Sequence, residues 1–146
     1  MKLRIAWVGK TKESAIQALT AEYVKRIARY NTVETTEASS EAGVLKVFEK
    51  SGRTAPVFVA LDPRGKQMNS EALAEFIKQH LERGTQELVF AIGPADGWSA
   101  EALKCSQVKL SLGLMTLPHE LARVVLVEQV YRAFTILNNH PYHGGH

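Results

Sequence analysis

At 146 residues, with 45% hydrophobic and 23% charged side chains, the chain has the size and balance of one soluble globular domain spanning residues 1–146. Its formal net charge of +3 argues only weakly for an anionic partner. Cys105 is the single cysteine, which excludes an internal disulfide and a multi-cysteine metal site and fits a reducing cytoplasm; a buried, inert thiol on a helix is expected there. No apolar run approaches a membrane span, the best candidate, Val124 to Val127, being hemmed in by Arg123 and Glu128. The apolar stretch of MKLRIAWVGK is too short for a signal peptide.

Leu3 to Val8 reads as a first strand, followed by a polar loop at Gly9–Glu13. Ile16, Leu19, Tyr23, Ile27 and Tyr30 then recur at helical spacing and predict an amphipathic helix. Thr32 to Thr36 is a weak strand suited to a sheet edge, and Ala42 to Lys50 has helical spacing through Val44, Leu45 and Phe48. Gly52 and Pro56 punctuate the chain before the strand Val57 to Leu61. Asn69 or Ser70 caps the next helix, Gly84 closes it, and Leu73, Phe76, Ile77 and Leu81 form its expected buried stripe. Leu88 to Ile92 is continuously apolar, as a central strand covered on both faces should be. A short helix around Ala100 to Gln107, a strand Val108 to Leu112 and a long helix opening on Pro118 complete the chain. Strands separated by helix-length segments predict an α/β fold, a mainly parallel sheet with helices on both faces.

Ligands of open parallel sheets bind beyond the carboxyl ends of the strands. LDPRGK at 61–66, IGPADG at 92–97 and LGLMTLP at 112–118 leave such ends, and neighbouring strands would merge these loops into one cleft. Gly93 and Gly97 allow close approach of backbone to a ligand, and Gly113 and Thr116 precede Pro118, a good opening residue for a helix. Neither a G-x-G-x-x-G nor a Walker pattern follows the first strand, which argues against a Rossmann cofactor site or a P-loop. Asp62 would suit a phosphorelay domain only if an acid pair for Mg²⁺ stood after the first strand, where Gly9, Lys10 and Thr11 stand instead. His119, His140, His143 and His146 lack the spacing of a zinc site, so no metal is expected; His119 suits capping or loop packing as well as catalysis.

On the long helix Glu120 is spaced to pair with Arg123, and Glu128 with Arg132. Leu121, Val124, Val125, Val127, Val130, Tyr131, Phe134 and Leu137 spread over more than one face. A helix so apolar needs cover on two sides, which a homodimer would provide.

Taken together, the MKLRIAWVGK start, LDPRGK, FAIGPADG, SLGLMTLPHELARVVLVEQVYRAF and NHPYH resemble the SPOUT methyltransferases, and within them the large-subunit rRNA methyltransferase H family, pseudouridine N3-methyltransferases. The likeness runs essentially end to end. It implies a C-terminal trefoil knot, an exception to the rule of unknotted connections, a homodimer, and 23S rRNA on the ribosome as partner. It also implies S-adenosyl-L-methionine as cofactor, bound by Leu61, Gly93, Leu112, Gly113, Leu114, Met115, Thr116 and Leu117. Two positions depart from the family pattern: Pro94 replaces a common glycine, and Gly144 stands where a basic residue usually ends the chain. Tyr142 and His143 are the expected acceptor-base residues, His143 assisting deprotonation, with Arg132 or Arg123 stabilising the anion or holding a phosphate. The competing readings are a non-enzymatic RNA-binding or ribosome-assembly module of the same fold and, further off, a phosphorelay domain.

Overall fold

The structure, a computed structural model, describes residues 1–49 and 54–144. The expected helix end at Lys50, the Gly52 break and His146 lie outside the described residues. The strands are β1 (Lys2–Val8), β2 (Val33–Ala38), β3 (Val57–Gln67), β4 (Glu87–Ile92) and β5 (Val108–Ser111). The helices are α1 (Ser14–Ile27), α2 (Glu41–Leu45, continued by a 3₁₀ turn at Lys46–Phe48), α3 (Ser70–Arg83), α4 (Ala100–Cys105) and α5 (His119–Leu137). All strand pairs are parallel and the order is β2-β1-β4-β3-β5. The α/β architecture expected from the alternation of elements is present.

Strand burial follows position in that order. Every residue of β4 is buried, because the strand lies centrally with side chains covered on both faces. β2, sequence VETTEA, lies at the edge and keeps polar residues toward water. On one face Leu3, Ile5, Trp7, Val59, Leu88 and Phe90 pack with residues of α1, α3 and α5. On the other, Ala6, Val8, Phe58, Ala60, Val89 and Ala91 meet Val44, Phe48, Trp98 and Leu103 from the α2 and α4 side.

Several expectations are corrected. LDPRGK does not leave the sheet as a loop: β3 runs through it to Gln67. Leu61 and Lys66 both pair with Leu110, so the chain between them bulges out and returns to β5. Pro63 has no N–H to give a ladder, and Gly65 lets the returning strand press on β5, where a Cβ would stand 2.6 Å from the Lys109 carbonyl carbon. Leu19 and Leu81 sit on the predicted stripes yet are 45% and 37% exposed. Thr20 and Ile27 are the buried residues of α1; Ala74 and His80 join Leu73 and Ile77 in α3. Cys105 is on its helix but exposed, since α4 is short and buries only Ala102.

Asn69 caps α3, its side chain accepting from Ala72 N–H, and Gly84 ends it with φ +77°. α5 packs against both α1 and α3, so part of the second cover expected from a partner subunit comes from the same chain. Glu120 does not pair with Arg123. It accepts the backbone N–H groups of Lys12 and Glu13, while Arg123 is turned inward and fully buried.

Candidate functional site

β4, β3 and β5 are neighbours, so the bulge of β3 after Leu61 and the segments leaving the carboxyl ends of β4 and β5 converge. They enclose a cleft of about 490 Å³, and every residue expected from the resemblance to bind a cofactor (Leu61, Gly93 and Leu112 through Leu117) lines it. The Gly113 φ of +138° lies where L side chains are strained, which fits glycine to this turn. The Ser111 hydroxyl holds the turn, donating to Gly113 O at 3.0 Å and accepting from Gly113 N at 3.1 Å. Pro94 lacks an N–H, but its carbonyl accepts from Gly97 N at 2.8 Å and closes the second loop.

Gly93 has a packing reason to be glycine. A Cβ there would lie 2.7 Å from the Trp98 ring, so Trp98 can lie flat beside the backbone only if that position is bare. The Trp98 Nε1–H is buried without a partner. It belongs to the cleft lining and is a donor waiting for an acceptor. Leu114 and Met115 are 87% and 86% exposed, apolar walls that an occupant would cover. Trp98 was invisible as a site residue in the sequence, where an aromatic after a glycine turn reads as core.

At the cleft edge, Arg123 donates through Nη2 to His119 Nε2 at 2.7 Å and to the carbonyls of Val8 and Gly9 at 3.1 Å each, and through Nη1 to the Thr11 hydroxyl. Its guanidinium also lies 5.5 Å from the Trp7 ring centroid. An arginine can only donate, so His119 Nε2 is an acceptor and Nδ1 carries the proton. Burial, then the Arg123 charge, holds His119 below its ordinary range. Arg123 is therefore engaged in joining β1 to α5 and is not placed to meet a phosphate.

Arg132, Tyr142 and His143 do come together. Arg132 meets Glu128 at 2.7 Å and donates through Nη1 to His143 Nδ1 at 2.9 Å. His143 Nε2 faces Glu71 Oε1 at 2.8 Å. The Tyr142 hydroxyl donates to Glu128 Oε2 at 2.7 Å, and its ring lies beneath the Arg132 guanidinium at 4.9 Å. Burial and the Glu128 hydrogen bond push Tyr142 well above the ordinary phenol range, so it is a donor and not a base. Glu71, on α3, is a member that sequence distance concealed. Ala122 lines the cleft, whereas Arg132 is farther along α5 by about 15 Å at 1.5 Å per residue.

Among the described residues no group of three or more His, Cys, Asp or Glu is placed to hold a metal, and no helix is long and apolar enough to cross a membrane. Asp62 is engaged by Arg64, through its backbone N–H at 3.4 Å and its guanidinium at 3.8 Å.

A family described as "Predicted SPOUT methyltransferase" matches residues 1–143. Ribosomal RNA large subunit methyltransferase H of Koribacter versatilis (strain Ellin345) is 61% identical over 100% of both chains. The proteins of that name from Geobacter sp. (strain M21) and Trichlorobacter lovleyi are 43% and 45% identical, over 98% of this chain and 99% of theirs. A "probable methylase family protein" from Haemophilus influenzae Rd KW20 shares the fold, with a TM-score of 0.62 at 12% identity over 96% of this chain and 67% of that one. With its cleft at the strand ends and its polar tail on the last helix, the chain belongs to the ribosomal RNA large subunit methyltransferase H family of SPOUT methyltransferases.

Proposed function

We propose that this chain transfers a methyl group from S-adenosyl-L-methionine to N3 of a pseudouridine in 23S rRNA, acting in the cytoplasm on the assembled ribosome. The observation that carries the reading is the cleft between the β3 bulge and the carboxyl ends of β4 and β5, lined by Leu61, Gly93 and the 112–117 turn. Its volume is in the range of small-ligand sites, about 300–1,000 Å³. The buried, unpartnered Trp98 N–H supports a polar ligand group there, and the bare Leu114 and Met115 side chains support an apolar one.

The cofactor would supply an activated methyl on a sulfonium, which leaves the chain to position the reactants, exclude water and handle one proton. Leu61, Leu112 and Leu117 would wall the donor, with Gly93 and Gly113 giving it backbone. The tail would hold the acceptor base: the Tyr142 hydroxyl as a donor on exchanging its bond to Glu128 for one to the base, Arg132 against the charge left when N3 is deprotonated. In the tautomer that Arg132 selects, the lone pair of His143 is on Nδ1 and Nε2–H donates to Glu71. The base N–H would take the place of Arg132 at Nδ1, and the proton passing to Nδ1 would be stabilised by the Glu71 carboxylate on the far nitrogen.

Cleft and tail are separated along α5 in one chain, which supports a homodimer whose tail serves the cleft of its partner. The trefoil knot belongs to the same reading. A module that only binds RNA is favoured by one feature, the saturation of His143 and Arg132 within their own network. Labelled S-adenosyl-L-methionine should be offered with isolated 23S rRNA, free large subunits and whole ribosomes. Methyl label in a pseudouridine of 23S rRNA is expected, strongest with whole ribosomes. No label with any of them, together with no heat on titrating the cofactor, would leave the binding module standing.

A further inference from the structure

A second recess of about 460 Å³ lies between α1 and the strands β1 and β2, and shares no lining residue with the cleft. Trp7, Thr11, Thr20, Val24 and Glu37 form its working wall, with Lys10 and Lys25 at its margin. We infer that this recess is a nucleotide site for RNA that reads a base edge rich in hydrogen-bond donors, guanine before the other bases. The choice of RNA rests on the rRNA methyltransferase reading; the choice of base rests on the recess.

Thr20 is only 7% exposed, and its hydroxyl is buried without a hydrogen-bond partner. Such a group costs stability unless something meets it. Glu37 is half engaged: Oε1 accepts both the Trp7 Nε1–H at 3.0 Å and the Thr11 N–H at 3.2 Å. Its other oxygen, Oε2, has no hydrogen bond among the described residues, while the first is fixed by two donors. The carboxylate therefore presents an oriented acceptor, and the Thr20 hydroxyl supplies another.

Two acceptors lining one recess suit a ligand edge with adjacent donors. Guanine presents N1–H beside its exocyclic amine. Adenine and cytosine bring the carboxylate a single donor group, their amine, beside a ring acceptor that the Thr20 O–H can meet, where guanine brings two donors to it; uracil flanks its imino group with carbonyls, which a carboxylate repels. Lys10 and Lys25 form no ion pair among the described residues and can meet the phosphate that a nucleotide carries.

The two tryptophans of the chain make the test direct, because Trp7 reports the recess and Trp98 the cleft. The full chain, ¹⁵N-labelled at the indoles, would be titrated with guanosine, adenosine, cytidine and uridine 5′-monophosphates and with inorganic phosphate. Guanosine monophosphate should shift the Trp7 indole signal, leave Trp98 in place, and bind at least tenfold more tightly than the others. Thr20→Val should weaken it about tenfold, and Glu37→Gln, which puts an amide donor at the free position, should abolish the preference for guanine. With rRNA, Thr20→Val should raise KM and leave kcat unchanged. An unmoved Trp7 signal, equal responses to all nucleotides and phosphate, or a Thr20→Val protein that gains thermal stability and titrates like the parent would overturn the inference. Failure of the methyltransferase reading would show elsewhere, as a Trp98 signal unmoved by S-adenosyl-L-methionine.

Discussion

Arg123 and His119, one helical turn apart on α5, are joined at 2.7 Å with the arginine as donor. His119 lines the cleft, and the Thr11 hydroxyl, which Arg123 also holds, lines the recess beside α1. One fully buried guanidinium thus fixes a wall of each.

Arg123→Ala should be among the most damaging single changes in the chain. It would strand the Val8 and Gly9 carbonyls and the Thr11 hydroxyl in the interior. A loss of about 3 kcal/mol is expected, since hydrogen bonds to charged groups contribute roughly 1.5–3 kcal/mol each and leaving their partners unmet adds to that. Urea denaturation would show it as a lower midpoint at unchanged slope.

Stability should begin to fall as the pH drops below about 6.5. Burial, first, holds both His80 and His119 below their ordinary 6.5, with Arg83 and Arg123 adding to the effect. The unfolded chain therefore takes up protons before the folded one, so the stabilisation is complete above 6.5 and is lost on descending toward the folded values. Thermal melts across pH 7.5 to 5 measure the slope, and His119→Asn should flatten it. A slope identical in His119→Asn and His80→Asn to that of the parent would refute the assignment.

Glu71→Gln tests the support of His143. The carboxylate lies 2.8 Å from Nε2, and this contact is the first cause holding Glu71 below its ordinary range. Glutamine keeps the shape and removes the charge that would stabilise a protonated ring. The methylation kcat should fall about tenfold or more, against the roughly 10²–10⁴ that a general base contributes. Calorimetric affinity for S-adenosyl-L-methionine should not change, since Glu71 is not part of the cleft lining.

Gly93→Ala should displace Trp98, because the new methyl would lie 2.7 Å from the indole. Overpacking of this kind costs about 1–3 kcal/mol. Tryptophan fluorescence should change, and cofactor affinity should fall by at least tenfold, while Gly97→Ala, with nothing within 4 Å, should perturb only its own turn.

The sheet was legible because burial writes itself into composition: ELVFAI is apolar throughout where both faces are covered, and VETTEA is polar where the strand lies at an edge. The convergence of the loops followed from the general rule for parallel strands. The return of β3 to the sheet was not legible, because Pro63 and Gly65 mark turns as readily as bulges and only the pairing of Lys66 with Leu110 distinguishes them. Periodicity also could not tell that Leu19 and Leu81 reach past their neighbours into water. The Glu128–Arg132 pair was readable from its spacing, but the same spacing rule failed for Glu120, whose better partners were free N–H groups of the β1–α1 loop. Glu71 beside His143 is a contact of the folded chain alone.

The exposure of Met115 at 86% gives the cleft a chemical vulnerability. A thioether so open to solvent is within reach of peroxide, and its sulfoxide would set a polar, chiral oxygen into an apolar wall. The rate at which Met115 gains an oxygen, followed by mass spectrometry of its peptide, becomes a clock for occupancy: it runs fast while the wall is wet and slows when the side chain is covered.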